Sequence, residues 1–219
     1  MSTDLSDSRT IVIAVDGPAA SGKGTIARAL AAHYGLPHMD TGLLYRAVAL
    51  NLWRWGGDPA SEFEALRACS DLGFDPDDPE LRSESVSKYA SAVSAYPSVR
   101  AALLERQQEF AGQPGGAVLD GRDISTVIAP DAPVKLFVTA SAEVRAQRRV
   151  RELLARGMPA HLEDVLLDIR ARDDRDSSRD AAPLKQADGA LLFDTTDLDV
   201  DQSITRAIAL AEGQLARAE

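Results

Sequence analysis

Cysteine is nearly absent from this chain: Cys69 stands alone among 219 residues. One cysteine closes no internal disulfide and builds no zinc cluster. That fits a reducing compartment and leaves Cys69 as a packing residue. Histidine is also sparse. His33, His38 and His161 are scattered in no ligand spacing, so no metal role attaches to them. Trp53 and Trp55 fall near one predicted helix end, where packing is their default use. No run of about 18 apolar residues occurs, which excludes a predicted membrane-spanning helix. The opening stretch, MSTDLSDSRT, lacks the basic segment and apolar core of a secretory leader. Residues 1–9 are expected to form a flexible tail, and the location is expected to be cytoplasmic.

Positive charge is scarce overall and uneven where it occurs. The net charge is −10, which argues against general nucleic-acid affinity, since that needs many phosphate-neutralising cations. Arginine nevertheless supplies 20 of the 24 basic residues, and nine arginines lie between Arg145 and Arg179. An acidic protein with a local arginine cluster points to a small, highly charged anion. Composition alone leaves equally open a solvated helix face laced with salt bridges.

What is present is enough for one domain, expected over residues 10–219. Hydrophobic residues make up 45% and charged residues 26%, as in ordinary globular chains. TIVIAV (10–15), AVLD (117–120), VKLFVTA (134–140) and ALLFDTT (190–196) read as buried strands. Helices are expected over 22–34, 43–55, 62–71, an arginine-rich segment after 140, about 162–176, and 200–216. In the first, Ile26, Ala29, Leu30 and His33 are read as one face. A long helical pattern over 85–111 is expected to break near Pro97. Residues 73–83, GFDPDDPELRS, read as an irregular connection. Strands alternating with helices predict a doubly wound α/β domain with a parallel sheet.

The segment DGPAASGKGT (16–25) follows a predicted strand and opens a predicted helix. That is the context a phosphate-cradling loop requires. Its glycines let the backbone approach a polyphosphate and aim N–H groups at it. The helix N-terminus adds partial positive charge, and Lys23 places a full charge beside the β- and γ-phosphates. Gly17, Pro18, Ala19, Ala20, Ser21, Gly22, Lys23, Gly24 and Thr25 are therefore candidate ATP ligands. Gly24 stands where a hydroxyl residue usually follows the lysine, so Thr25 is left to approach magnesium, partly through water. Asp16 either lies near that metal or orders the loop, and the second reading is preferred.

Further motifs follow in order: DTGLLYR (40–46), SAVSAYPSVR (91–100), DGRD (120–123) and RARDDRDSSRDAAPL (170–184). With the phosphate loop they make the chain resemble bacterial-type cytidylate kinases of the nucleoside monophosphate kinase family, over most of its length. The resemblance implies a three-layer P-loop fold with a central parallel sheet, a small monophosphate-binding region at about 41–112 and a helical lid at about 149–180. It implies transfer of a phosphoryl group from ATP to CMP or dCMP, with Mg2+, by a monomer that binds neither nucleic acid nor membrane. It also implies roles. Thr41, Tyr45 and Arg46 would line the monophosphate pocket, with Arg46 on the acceptor phosphate. Arg122 and Arg179 would be further phosphate ligands, joining Lys23 and Arg46 as catalytic cations. Ser91, Arg100 and Asp123 would read cytosine, Arg172 and Asp176 would hold the sugar, and Arg148 would sit at the edge of the ATP lid. The family's usual small β-rich insert is expected to be shortened here, around 73–86.

Elementary chemistry supports the base-reading roles. Cytosine offers a donor at N4, which a carboxylate accepts, and acceptors at N3 and O2, which a guanidinium can meet. Uracil puts an acceptor where the amino group was, leaving a buried Asp123 unpaired. Arg172, Arg175, Asp176 and Arg179 are spaced to share one helix face. The rival readings are a kinase for another acceptor, such as UMP, AMP or shikimate, and a slowly hydrolysing nucleotide switch.

Overall fold

The computed structural model describes residues 10–70 and 72–217; the expected tail at 1–9 lies outside them. Five parallel strands run in the order β2-β3-β1-β4-β5. They are β1 (Ile11–Asp16), β2 (His38–Asp40), β3 (Gly116–Gly121), β4 (Val134–Thr139) and β5 (Leu191–Asp194). Each expected strand forms within two residues of its predicted ends.

Alternation along β1 separates two apolar layers, because successive side chains point to opposite faces. Ile13 and Val15 face α1 (Lys23–Tyr34) and α8 (Val200–Leu215), meeting Ile26, Leu30, Ala207 and Ala211. Ala14 faces the other way with Ala117, Leu119, Ile124 and Ile128. A parallel sheet covered on both faces explains why its strands read as continuous apolar runs. On α1 the buried stripe is Ile26, Ala27, Leu30 and Ala31, not the stripe ending at His33. His33 is exposed and pairs with Glu212 at 3.5 Å. The helix packs against both the sheet and its neighbour α8 on the same face, so its buried stripe is wide and takes in Ala27 and Ala31.

A third apolar cluster joins four helices: α2 (Thr41–Arg54), α3 (Glu62–Arg67), α4 (Glu84–Val93) and α5 (Pro97–Ala111). Leu44, Val48, Leu52, Val93, Val99 and Leu103 form its centre. The expected long helix divides into α4 and α5 because Pro97 opens the second and forces Tyr96 out of helical geometry. Helix starts are capped locally: Ser61 and Ser83 accept from Glu64 and Val86, and Asp199 with Gln202 forms a reciprocal box. Helix α3 ends at Arg67, short of its expected limit; Asp71 is outside the described residues. The connection from 72 to 83 holds only a short 3-10 turn, Pro79–Arg82, with Leu81 fully buried.

The last two helices before β5, α6 (Ala142–Ala155) and α7 (Leu162–Ser178), form a hairpin across the sheet's carboxyl end. Gly157, with φ 72°, lies in the turn between them. Among the described residues no helix is long and apolar enough to cross a membrane.

Candidate functional site

A cavity of about 350 Å³ opens beyond the carboxyl ends of β2 and β3, between the phosphate loop, the α2–α5 helices and the α6–α7 hairpin. Open α/β sheets bind ligands at this end. The loop contributes Ala19, Ala20, Lys23 and Gly24. Ala20 holds φ 59°, a left-handed conformation that is uncommon away from glycine. Gly17 is required for a different reason: a Cβ there would lie 2.0 Å from the Val138 carbonyl oxygen.

Lys23 curls over the loop, its Nζ donating to the Pro18 carbonyl at 3.4 Å. Desolvation in the cavity, helped by the charge of Arg122, lowers its pKa to about 8 against the opposing pull of Asp120, Asp40 and Asp176. Thr25 is exposed, and its hydroxyl accepts from Arg28 at 3.4 Å. Gly17, Pro18, Ser21, Gly22 and Thr25 are not part of the cavity lining, and neither is Arg148. The Arg148 guanidinium is instead spent on the Ser21 carbonyl at 3.2 Å and the Thr195 carbonyl at 2.7 Å.

The strand ends place three buried or half-buried carboxylates, of which Asp40 and Asp120 had no role assigned from the motifs. Asp40 caps α2 by accepting from Gly42 N–H at 3.0 Å. Burial and the neighbouring Asp120 push its pKa up. Asp120 is held by His38, whose Nε2 lies 2.8 Å from Oδ1. Thr41 donates to the Asp120 carbonyl at 2.9 Å. Asp16 is fully buried and accepts from the N–H groups of Ile124 and Ser125 at 2.7 and 2.8 Å, and from the Ser125 hydroxyl. It therefore orders the π turn Ile124–Ile128 that follows Asp123, rather than the phosphate loop.

On the opposite wall the predicted residues converge. Arg46 donates to the Leu81 carbonyl at 2.8 Å, so the short connection after α3 aims this side chain. Burial lowers the Arg46 pKa to about 10. Arg100 pairs with Asp123, donates to the Ser94 carbonyl at 3.0 Å and lies 5.5 Å above the Tyr45 ring. Burial raises the Tyr45 phenol to about 12. Arg122 pairs with Asp176 at 2.7 Å, and Arg179 approaches the same carboxylate at 3.7 Å. Burial opposes charge on Asp176, but the two arginines outweigh it and hold its pKa below the ordinary value. Arg172 faces the cavity and pairs with Asp168 at 2.8 Å.

The expected single helix face over Arg172, Arg175, Asp176 and Arg179 is only partly realised. Helix α7 ends at Ser178, and Arg179 is extended, with ψ 144°. Its side chain donates forward to the Ala182 carbonyl at 3.1 Å. Arg175 crosses to the Ser91 hydroxyl, linking α7 to α4. Arg149 was not assigned from sequence. It lines the cavity and pairs with Glu84 of α4 and, at 2.9 Å, with Glu152. Its position inside the arginine cluster was the available signal. One cavity thus gathers Lys23, Arg46, Arg100, Arg122, Arg149, Arg172 and Arg179 together with the carboxylates of Asp40, Asp120, Asp123, Glu152, Asp168 and Asp176, so most of its cations are offset until an anionic ligand exchanges for their partners.

Among the described residues no three His, Cys, Asp or Glu side chains are grouped as a metal site. Asp40 and Asp120 are register partners at the ends of β2 and β3, and the Asp120 carboxylate lies beside Gly24 at the start of α1. Burial and then repulsion from Asp120 disfavour the charged Asp40 carboxylate, opposed by Lys23 and Arg46, and added positive charge would favour it further. Such a hard donor set fits a magnesium ion whose other ligands come from nucleotide and water.

The sequence model of the cytidylate kinase family matches residues 13–213. A cytidylate kinase of Xanthobacter autotrophicus is 58% identical over 208 residues, covering 94% of this chain and 99% of that protein. One of Methylocella silvestris is 57% identical over 203 residues, covering 92% and 94%. A solved structure of an uncharacterized protein from Eubacterium ventriosum aligns with TM-score 0.54 at 15% identity, over 93% of this chain and 99% of its own. That likeness concerns the fold alone.

Proposed function

The chain belongs to the cytidylate kinase family, and from that premise we propose that it transfers the γ-phosphoryl group of ATP to CMP or dCMP, giving ADP and CDP or dCDP. The observation that carries the substrate assignment is the Arg100–Asp123 pair on the same cavity as Lys23. Asp123 accepts from the cytosine N4 amino group, and Arg100 donates to N3 and O2. Ser91 supports the base from α4. Arg172 and Asp176 hold the sugar.

No general base is needed. A phosphate monoester has a second pKa of about 6, so the acceptor is already mostly dianionic at neutral pH. The residues have to bring two anions into line and spread the charge that develops between them. Lys23 faces the transferring phosphoryl group. Arg46 holds the acceptor phosphate, and Arg122 and Arg179 flank the transfer path. Thr25, Asp40 and Asp120 would hold Mg2+, which supplies charge neutralisation on the phosphates. Residues 149–180 act as the lid, excluding water from the γ-phosphate. Residues 41–112 form the monophosphate-binding region. Both walls come from one chain, so the proposed site is complete within a monomer. A chain with one cysteine and no internal disulfide suits a cytoplasmic setting.

Calorimetric titration tests the acceptor directly. CMP is expected to bind more tightly than UMP; equal affinity for the two would contradict the assignment of Asp123.

A further inference from the structure

A loop that turns its N–H groups toward an anion turns carbonyl oxygens away from it, and those oxygens need donors of their own. Helix α6 supplies them with two arginines. Arg148 donates to the Ser21 carbonyl. Arg145, nearly one turn earlier and only 5% exposed, donates from Nη1 to the Ala19 carbonyl at 3.2 Å and from Nε to the Ala140 carbonyl at 2.8 Å. The two differ in what else they hold. Arg148 is anchored to the Thr195 carbonyl, in a segment tied to the sheet through Thr195 N–H and the Thr139 carbonyl at 2.9 Å. Arg145 reaches the opposite way. Its Nη1 and Nη2 donate to the two carboxylate oxygens of Asp173 on α7, at 3.0 and 2.6 Å.

Asp173 is adjacent to Arg172 and three residues from Asp176, both of which face the cavity. We propose that Arg145 is a positioning residue that couples ATP binding on the phosphate loop to the placement of α7, and so to binding of the acceptor nucleotide. The guanidinium is a planar fork with fixed donor directions. An Ala19 carbonyl fixed by bound nucleotide fixes the fork, and the fork fixes Asp173 and the helix that carries Arg172 and Asp176. Coupling of this kind is reciprocal, so acceptor binding also strengthens ATP binding. The inference rests on the cytidylate kinase reading and on the α6–α7 hairpin serving as the lid.

The test is the dissociation constant of CMP, measured by calorimetry with and without a non-hydrolysable ATP analogue plus magnesium. The wild type, Asp173→Asn and Arg145→Lys are compared. Asp173 retains 28% side-chain exposure, so its isosteric replacement is expected to fold, as a melting curve would verify. Arg145→Lys keeps the charge and removes the fork, giving a second route to the same break. In the wild type the analogue is expected to tighten CMP by about fivefold or more, the lower range of allosteric coupling. In both variants the ratio falls toward one, while Asp173→Glu preserves part of it. A wild-type ratio of one, or an unchanged ratio in both variants, overturns the proposal. General weakening of CMP with the ratio intact, as expected of a merely structural residue, overturns it too. A wild type that binds no CMP under either condition fails differently, because it removes the acceptor assignment on which the inference stands.

Discussion

The two walls of the cavity hold charge by different means. The donor wall is built from backbone. Ala20 sits in a left-handed conformation, Gly17 admits the Val138 carbonyl, and arginines 145 and 148 secure the back of the loop. Lys23 is its one full charge within the cavity. The acceptor wall is built from side chains already paired with each other: Arg100 with Asp123, and Arg122 and Arg179 with Asp176. A backbone cradle is ready for any polyphosphate. A paired wall must exchange its internal partners for those of the ligand, so only a ligand that satisfies both members binds without leaving a buried charge alone. The proposed function therefore assigns general phosphate affinity to the first wall and selectivity to the second.

The largest break in this contrast comes from Lys23→Ala. Turnover is expected to fall by about 10²–10³-fold, the usual cost of removing a transition-state charge partner. The fold should survive, since a desolvated charge is removed from the cavity. Steady-state rates together with a melting curve check both halves. Near-normal turnover in the folded variant would contradict the role of Lys23.

Asp123→Asn probes the other wall. It is expected to narrow the CMP-over-UMP preference in kcat/KM by about tenfold, within the roughly 1–3 kcal/mol span for an unpaired buried polar group, with less effect on the KM for ATP. An unchanged ratio would mean that another group reads N4.

A gentler probe is pH. The Lys23 pKa of about 8 predicts that kcat/KM for ATP declines as pH rises through about 8, because the free enzyme loses the loop's charge. The sign for stability is opposite. A lysine whose folded value lies below its ordinary 10.5 releases its proton earlier in the folded state, so its contribution to stability improves as pH rises from about 8 toward 10.5. A pH–rate profile beside melting temperatures at the same pH values separates the two.

The smallest effect is expected outside both walls. Arg54 pairs with Asp78 and Glu80 on the surface, and Arg54→Ala should leave melting and turnover unchanged. A clear loss would mean that the connection carrying Leu81, and through it Arg46, depends on that surface network.

The same contrast governs what could be read from the chain. The strand, loop and helix around Lys23 are contiguous, and glycine, lysine and hydroxyl spacing reveals a backbone cradle directly. The break at Pro97 was equally local. The motifs DGRD and RDDRD single out arginines and aspartates that the fold places on the cavity, but not their pairing. Residues that act through distant partners carried no local mark. Asp16 binds a turn 108 positions on, His38 meets Asp120 across 82 positions, and Arg145 reaches Ala19 across 126. Arg179 left its expected helix face because α7 ends one residue earlier, a boundary that periodicity does not resolve.

The central claim is that one cavity joins a general phosphate cradle to a cytosine-selective wall. An ADP-release assay with ATP, magnesium and CMP, dCMP, UMP or AMP tests it most directly. The account predicts turnover driven chiefly by CMP and dCMP, with little release when no acceptor is present. Equal stimulation by UMP or AMP, or release that needs no acceptor, would contradict it.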